Sequence, residues 1–373
     1  MNYLKGLFVS LYNVEDDNAK GIKRKIEAQI KYLGRNCDGV DWVYKGNDGY
    51  IKLNGNKLYY GKNTKQLWFN ATCDFYSLIK YIDLKKYEFI YIRYLWANLG
   101  LLKFAKHAKS FNKKVLVEIP TYPYEHEMGN NIKGNICRKL DRIVTSKLHK
   151  YVFRIVCTNK DETIFNIKTI RIDNGVDLEE VKIISNDKVK RENINAIAVA
   201  SICRWHGYDR FINSMYQYRQ KNKDLNLKFY LVGDGRKNDI QELKYIVKQK
   251  SMEDYVIFTG PKGGEELDSF YNNMDIAVSS LALFRAGGGH NPIKTKEYIA
   301  KGLPVITGYE DSIVPSSLEY IYKVEEDESI FDLKDILKWY YEGNFKHSDI
   351  RSFAEKHVSW DKQMKKVMRK VIS

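Results

Sequence analysis

LALFRAGGGHNPIKTKEYIAKGLPVITG, residues 281–308, decides how the rest of the chain is read. It reads as a strand end, a glycine-rich loop, a short helix and a buried strand. Gly287, Gly288 and Gly289 let the backbone take φ > 0 and come close to a ligand. Asn291 reads as an N-cap and Pro292 as the first helical residue, where a missing N–H costs nothing. The helix is expected over 292–301, stopped by Gly302 at C′. The apolar, β-branched run 303–306 is expected as an interior strand.

The charges of this helix sit at the wrong end for a bare helix. Lys294 and Lys296 fall in its first turns, where a cation loses about 0.3–1 kcal/mol against the macrodipole. An anion held by the free N–H groups reverses that sign. Lys294 and Glu297 share a face. A cation beside a carboxylate behind a glycine loop suits a nucleoside diphosphate, with Lys on phosphate and Glu on ribose hydroxyls. An ordinary surface helix with an i,i+3 ion pair is the alternative reading of the same residues.

A chain of 373 residues exceeds one ordinary core and suits two domains. Its formal charge of +15 implies an anionic partner: nucleic acid, a membrane surface or a phosphorylated substrate. The five cysteines are scattered without a C-x-x-C pair, so they read as reduced cytosolic thiols rather than a zinc site. The first 14 residues lack a signal-peptide pattern, and no run approaches the ~18 apolar residues of a membrane span. The expectation is a cytoplasmic protein, at most peripheral at the inner face of the membrane.

Outward from this stretch the alternation of strand and helix recurs. An apolar strand over 4–12, a polar loop and a helix over 22–33, with Ile22, Ile26, Ile30 and Leu33 on one face, make the first half of a βαβ unit. Gly21 either lets a phosphate approach that helix or simply starts it. Residues 40–60 read as short strands or a hairpin. Strands at 89–92 and 114–119 alternate with helices at 73–84 and 101–111, which predicts a parallel sheet with ligands beyond its carboxyl ends. There Glu118, Tyr122 and Tyr124 are candidates to line an acceptor site; a loop pinned by Pro120 and Pro123 is the alternative.

Residues 132–153 carry Lys133, Arg138, Lys139, Arg142, Lys147 and Lys150 among Ile136, Leu140, Ile143 and Leu148. They read either as a basic amphipathic helix touching anionic lipid or as a solvated helix face. The first domain is placed at 1–185, a polar linker at 186–193, and a second βα series at 193–348. The tail 349–373 reads as a basic helix anchored by Trp360.

Six blocks then stand in one order: NGVD at 174–177, HGYDRFI at 206–212, LVGDG at 231–235, VIFTG at 256–260, MDIAVSS at 274–280 and KEYIAKGLPVI at 296–306. In order and spacing they resemble the donor half of GT-B glycosyltransferases, most closely glycosyltransferase family 4, over 172–308. Gly21 and KVLVEIP are similar to the family's first half, and EIPTYPYE with WHGYDR resembles its capsular or exopolysaccharide branch. The resemblance implies an α/β fold of two Rossmann-like domains facing across a cleft, with a C-terminal helix over 349–373 packing back on the first. It implies metal-independent transfer of a sugar, with retention, from a nucleotide sugar to a glycan or lipid-linked acceptor in bacterial surface polysaccharide synthesis. No cofactor is expected beyond the nucleotide-diphosphate sugar donor, and no metal.

On this resemblance Lys294, Glu297 and Arg204 carry catalysis. The donor is contacted by Gly21, His206, Asp234, Gly260, Lys262, Arg285, Gly288, Gly289 and His290. The chain departs from the family where Gly289 replaces the first of two glutamates. Ser201 and His206 stand where the family has a phosphate-binding Arg and Lys, and Pro120 near its first-domain histidine. Lys294, then Arg204 or Arg285, supplies the lost charge. These departures leave a catalytically degenerate nucleotide-sugar or glycan-binding partner as the alternative. A nucleic-acid role rests on charge alone, without zinc spacing or an RNA-binding aromatic motif, and no nucleic-acid partner is expected.

Overall fold

The computed structural model describes residues 4–16, 19–62, 67–96, 98–128, 131–184, 192–222, 224–287 and 292–373. The chain divides into two compact units, Met1–Asp173 with Trp360–Ser373, and Asn174–Ser359.

The first unit contains β1 (Gly6–Asn13), α1 (Lys20–Gly34), β2 (Val40–Lys45), β3 (Tyr50–Leu53), β4 (Asn56–Tyr60), α2 (Leu67–Tyr81) and β5 (Phe89–Arg93). It continues with α3 (Leu99–Ser110), β6 (Lys114–Ile119), α4 (Ile132–Leu148), β7 (Arg154–Cys157), β8 (Thr163–Ile164) and β9 (Ile167–Arg171). The strand order is β4-β3-β2-β1-β5-β6-β7-β9-β8. Strands β1, β2, β5, β6, β7 and β9 pair in parallel, while the short β3, β4 and β8 are antiparallel extensions. Alternate residues of each central strand feed opposite faces, as the two-residue period requires. Leu7, Val9, Ile90, Ile92, Val115 and Val117 pack against Leu78, Phe104 and Leu148 of the helices on one face. Phe8, Phe89, Tyr91 and Leu116 pack against Ile26 and Leu33 of α1 on the other.

The second unit contains β10 (Ile194–Val199), α5 (Tyr208–Lys221), β11 (Leu227–Val232), α6 (Lys237–Gln249), β12 (Val256–Gly260), α7 (Gly264–Tyr271) and β13 (Ile276–Val278). There follow α8 (Lys294–Lys301), β14 (Val305–Thr307), β15 (Ile321–Lys323), α9 (Leu333–Glu342) and α10 (His347–His357). All six strands are parallel, in the order β12-β11-β10-β13-β14-β15. Such strands are covered on both faces, so β13 and β14 are buried throughout. Both units are therefore Rossmann-like α/β layers.

The expected single tail helix is two helices, α10 and α11 (Trp360–Ile372), interrupted at Val358 and Ser359. Only α11 belongs to the first unit, where Trp360, Met364, Val367, Met368 and Val371 form one apolar edge beside α1. Helix α10 buries Ile350 and Ala354 in the second unit's own core. The boundary falls after Asp173, so residues 174–184 belong to the second unit rather than to a first domain ending at 185. Most of the expected linker lies outside the described residues. Among the described residues no helix is long and apolar enough to cross a membrane.

Candidate functional site

In the second sheet the chain leaves β10 toward β11 and β12, then returns to β13 on the other side of β10. The carboxyl ends of β10 and β13 thus feed loops that run opposite ways, and α/β sheets bind ligands at such a switch point. Two loops meet there. The one after β10 makes a 3₁₀ turn at Arg204–His206 and reaches α5 through Gly207. The one after β13 makes a 3₁₀ turn at Leu283–Ala286 and ends in Gly287, φ +83°.

Their contact is close. The Leu281 N–H donates to the His206 carbonyl at 2.7 Å. Gly207 has φ +67°, and a Cβ there would stand 2.7 Å from the Ala282 Cβ, so the conformation and the space both ask for glycine. Beneath them the buried Arg210 donates to the carbonyls of Leu281, Glu325 and Ser329. One guanidinium with several donors fastens three chain segments together.

Helix α8 begins at Lys294, two residues later than expected, with no side-chain cap. Asn291, read as its cap, lies outside the described residues. Gly302 ends the helix at φ +86°, as expected of a C′ glycine. The Lys294 ammonium lies 3.5 Å from Glu297 Oε2, and both side chains are partly exposed. Lys296 is different. Two residues on from Lys294 it points about 200° around the helix axis, into the unit, where it is fully buried and pairs with Asp311 Oδ2 at 2.7 Å. Asp311 Oδ1 in turn accepts from the Ile313 and Val314 N–H groups at 2.9 and 3.1 Å. Of the two lysines expected to face an anion, only Lys294 can. Thr295 is also buried, its hydroxyl 2.9 Å from Ser279 Oγ and 2.8 Å from the Tyr309 hydroxyl. The first turn of α8 is therefore fixed from below at two consecutive residues.

His206 is buried, with its ring stacked between Trp205 and Tyr208. Burial pulls its pKa down to about 4, and the nearby Lys294 cation adds to the effect. At neutral pH it is an uncharged imidazole. Its Nδ1 lies 3.0 Å from the Cys203 nitrogen and 3.2 Å from the Cys203 carbonyl oxygen, so it accepts from the one or donates to the other according to the tautomer. In either tautomer His206 is uncharged and does not replace a missing lysine charge.

Other candidates are committed elsewhere. Arg285 is held by Glu328 and by both oxygens of Asp209, at 2.8 and 2.9 Å from the latter. With Arg204 it lines a cleft of about 60 Å³ that also contains Asp209, Asp239 and Glu242, too small and too acidic for a nucleotide. Arg285 is thereby committed to carboxylates, while Arg204 is exposed. Lys262 pairs with Glu266 at 2.5 Å. Asp234 is exposed in its turn, its Oδ1 accepting from the Gly235 N–H at 2.8 Å. Gly260 ends β12 at φ +72° with open space around it. Gly288, Gly289 and His290 lie outside the described residues.

In the first unit Gly21 sits within the first turn of α1 rather than in the loop before it, with nothing near its Cβ direction. Glu118 is not on an open surface. The β5–β6 register sets it against Arg93, which donates to it at 2.8 Å. Tyr91 and Gln29 each donate at 3.1 Å, and Lys25 lies at 3.6 Å. Burial pushes the Glu118 carboxyl up, but Arg93 and then Lys25 outweigh it and hold it below the usual range. Tyr124 is likewise buried, its hydroxyl donating to Asp141 at 2.7 Å and lying 2.7 Å from that of Tyr94. Both serve internal networks, which corrects their expected place on an acceptor-facing surface. Tyr122 remains half-buried beside Tyr124 and Phe165.

Sequence reading missed Thr295 on the buried side of α8, Asp311 and Ser279 beneath that helix, and Arg93 and Lys25 around Glu118. The signal for Arg93 and Glu118 is a charge near the end of an otherwise apolar strand, FIYIR and KVLVEI. All five cysteines are free thiols. Among the described residues no three His, Cys, Asp or Glu side chains converge as a metal site.

Residues 194–319 match the family model described as glycosyl transferases group 1. No curated protein matches the chain. Among solved structures the chain is similar to a glycosyltransferase from Rickettsia africae, at 12% identity over 100% of this chain and 98% of that one, TM-score 0.67. It is similar to HepE from Anabaena in complex with UDP, at 12% identity over 99% and 100%, TM-score 0.63. It is also similar to sucrose-phosphate synthase from Thermosynechococcus elongatus, at 14% identity over 99% of each chain, TM-score 0.63. These likenesses show the GT-B glycosyltransferase fold, and most of the second unit carries a glycosyl transferases group 1 domain.

Proposed function

We propose that this protein is a glycosyltransferase that moves a sugar from a nucleoside diphosphate sugar to a glycan or lipid-linked acceptor, in the cytoplasm and with retention. The observation that carries the reading is the gathering of Lys294, Glu297 and the neutral His206 at the β10/β13 switch point. It lies within the segment matched by the group 1 model. HepE, of the same fold, is solved with UDP, which supports a nucleoside diphosphate as the leaving group here.

In this reading the bond from the anomeric carbon to the phosphate oxygen breaks while the acceptor hydroxyl oxygen bonds that carbon and gives up its proton to the departing diphosphate. Negative charge grows on the phosphates. Lys294 and the N–H groups opening α8 are fixed before the reaction, so they stabilise that charge without reorganising, and the neutral His206 ring beside them adds no charge of its own. Glu297 accepts from the ribose hydroxyls. A metal-independent reaction and a role in surface polysaccharide synthesis complete the proposal.

The test is turnover with a panel of UDP-, GDP- and other nucleoside diphosphate sugars. Lys294→Ala is expected to lower kcat by ~10²–10³, and Glu297→Gln mainly to raise the donor KM, by roughly tenfold. Unchanged turnover in both variants would show that the site is wrongly placed. Thermal stabilisation by nucleotide without turnover would instead mark a degenerate binding partner.

A further inference from the structure

Helix α4 turns its buried edge, Asp141, Val144, Thr145 and Leu148, toward the first unit. Its opposite edge runs through Ile132, Ile136, Lys139, Arg142, Ile143 and Lys147 and on to Lys150 in the following turn, all exposed. These positions recur at steps of three and four and so share one face. Ile132, Ile136 and Ile143 are 79, 53 and 54% exposed. A single exposed isoleucine needs no explanation. Three along one stripe, interleaved with four cations and no acid, are not what a solvated face requires. Among the described residues, Arg142 alone of these cations has a carboxylate near it, Glu125 at 3.5 Å, and both side chains remain mostly exposed. Lys109, whose Nζ donates to the Lys150 carbonyl at 2.7 Å, extends the basic patch beyond the helix.

We propose that this face of α4 lies flat on an anionic membrane surface, with the isoleucines entering the acyl boundary and Lys139, Arg142, Lys147 and Lys150 meeting lipid phosphates. The helix has 17 residues, or about 25 Å of length, and interfacial helices of mixed apolar and basic character lie in the membrane plane in this way. Neither signal holds a protein at the membrane well alone, but an apolar and a polybasic signal together do. Charge complementarity selects the occupant. A second copy of this chain would set the stripe against its own cations, and a nucleic acid would give the isoleucines nothing to bury in. The inference stands apart from sugar transfer, since lipid binding is measured without turnover.

The experiment is co-sedimentation of the full chain with vesicles of phosphatidylglycerol mixed with phosphatidylcholine, against phosphatidylcholine alone. Binding is expected only with the anionic lipid, and to weaken as salt rises. Each cation contributes about fivefold, so K139E with R142E should reduce partitioning at low salt by at least ~20-fold. The triple change Ile132→Ser, Ile136→Ser and Ile143→Ser should reduce it about tenfold or more at any salt. All five side chains are exposed, so unchanged thermal unfolding shows that the variants are folded. Equal sedimentation of wild type and both variants would overturn the proposal. So would a stripe that sets the oligomeric state in light scattering, or binds duplex DNA, without affecting vesicle binding.

Discussion

Removing Asp311 should cost the second unit more than any change in the exposed ion pairs. Lys296 is fully buried, and Asp311 Oδ2 lies 2.7 Å from its ammonium. Asp311→Ala leaves that cation without its carboxylate, which costs about 3–5 kcal/mol. The Ile313 and Val314 N–H groups lose their acceptor as well, adding about 1 kcal/mol each. A total loss of about 5–7 kcal/mol corresponds to a fall in Tm of roughly 10–30 °C for a unit of this size. Because the pair anchors the first turn of α8, donor affinity should fall along with stability. Lys296→Met with Asp311→Leu removes both charges, and is expected to recover most of the lost stability. Urea and thermal unfolding of the three proteins measure this. For comparison, Glu266→Gln removes the partner of Lys262 at a carboxylate 65% exposed, and should cost less than ~1 kcal/mol. If Asp311→Ala cost no more than Glu266→Gln, the buried pair would not be what holds α8.

Two further outcomes follow from the loop before α5. His206 has its folded pKa lowered to about 4, against about 6.5 unfolded. The unfolded chain therefore takes up the proton first, and stability should fall by about 3 kcal/mol as pH drops from 6.5 to 4, then flatten. His206→Gln should remove this part of the pH dependence of Tm; an identical profile in the variant would mean that His206 is not buried neutral. Gly207→Ala adds a Cβ at φ +67° and 2.7 Å from Ala282, so it should cost about 2–4 kcal/mol and abolish turnover by parting the two loops. Wild-type stability and turnover in this variant would show that the loops do not need their close contact.

Much of this architecture was legible because parallel α/β units write it plainly. A buried strand such as KVLVEI is a short apolar run between helical periods, and its bounds, 114–119, agree with the structure. The tail was misread because its pattern is helical on both sides of Val358 and Ser359. Nothing in local periodicity says that Ile350 and Ala354 serve one core while Met364 and Val367 serve another. Strand β15 is three residues long, too short for a periodic signal, whereas helix α9 carries an amphipathic pattern and an Asp332 cap that the reading passed over. At the site, residue types were legible and partners were not. Arg285 resembles a phosphate ligand in sequence, yet Asp209 and Glu328, 76 and 43 residues away, already claim it.

The charge balance of the site follows from these partners. A reading by composition expects cations to gather where a diphosphate binds, and the chain carries +15 overall. Among the described residues around the switch point, however, the local charges nearly cancel. Lys294 faces Glu297, Arg285 faces two carboxylates, Lys296 is spent on Asp311, and His206 is neutral. What remains is the set of oriented dipoles that opens α8, its N–H groups without a side-chain cap. On the proposed function, dipoles held in place by Thr295 and Asp311 would stabilise growing phosphate charge most strongly where water is excluded. In the proposed transfer, His206 in place of the lysine of the resembled family exchanges a mobile charge for a neutral ring, and the rigid seating of α8 becomes part of the chemistry.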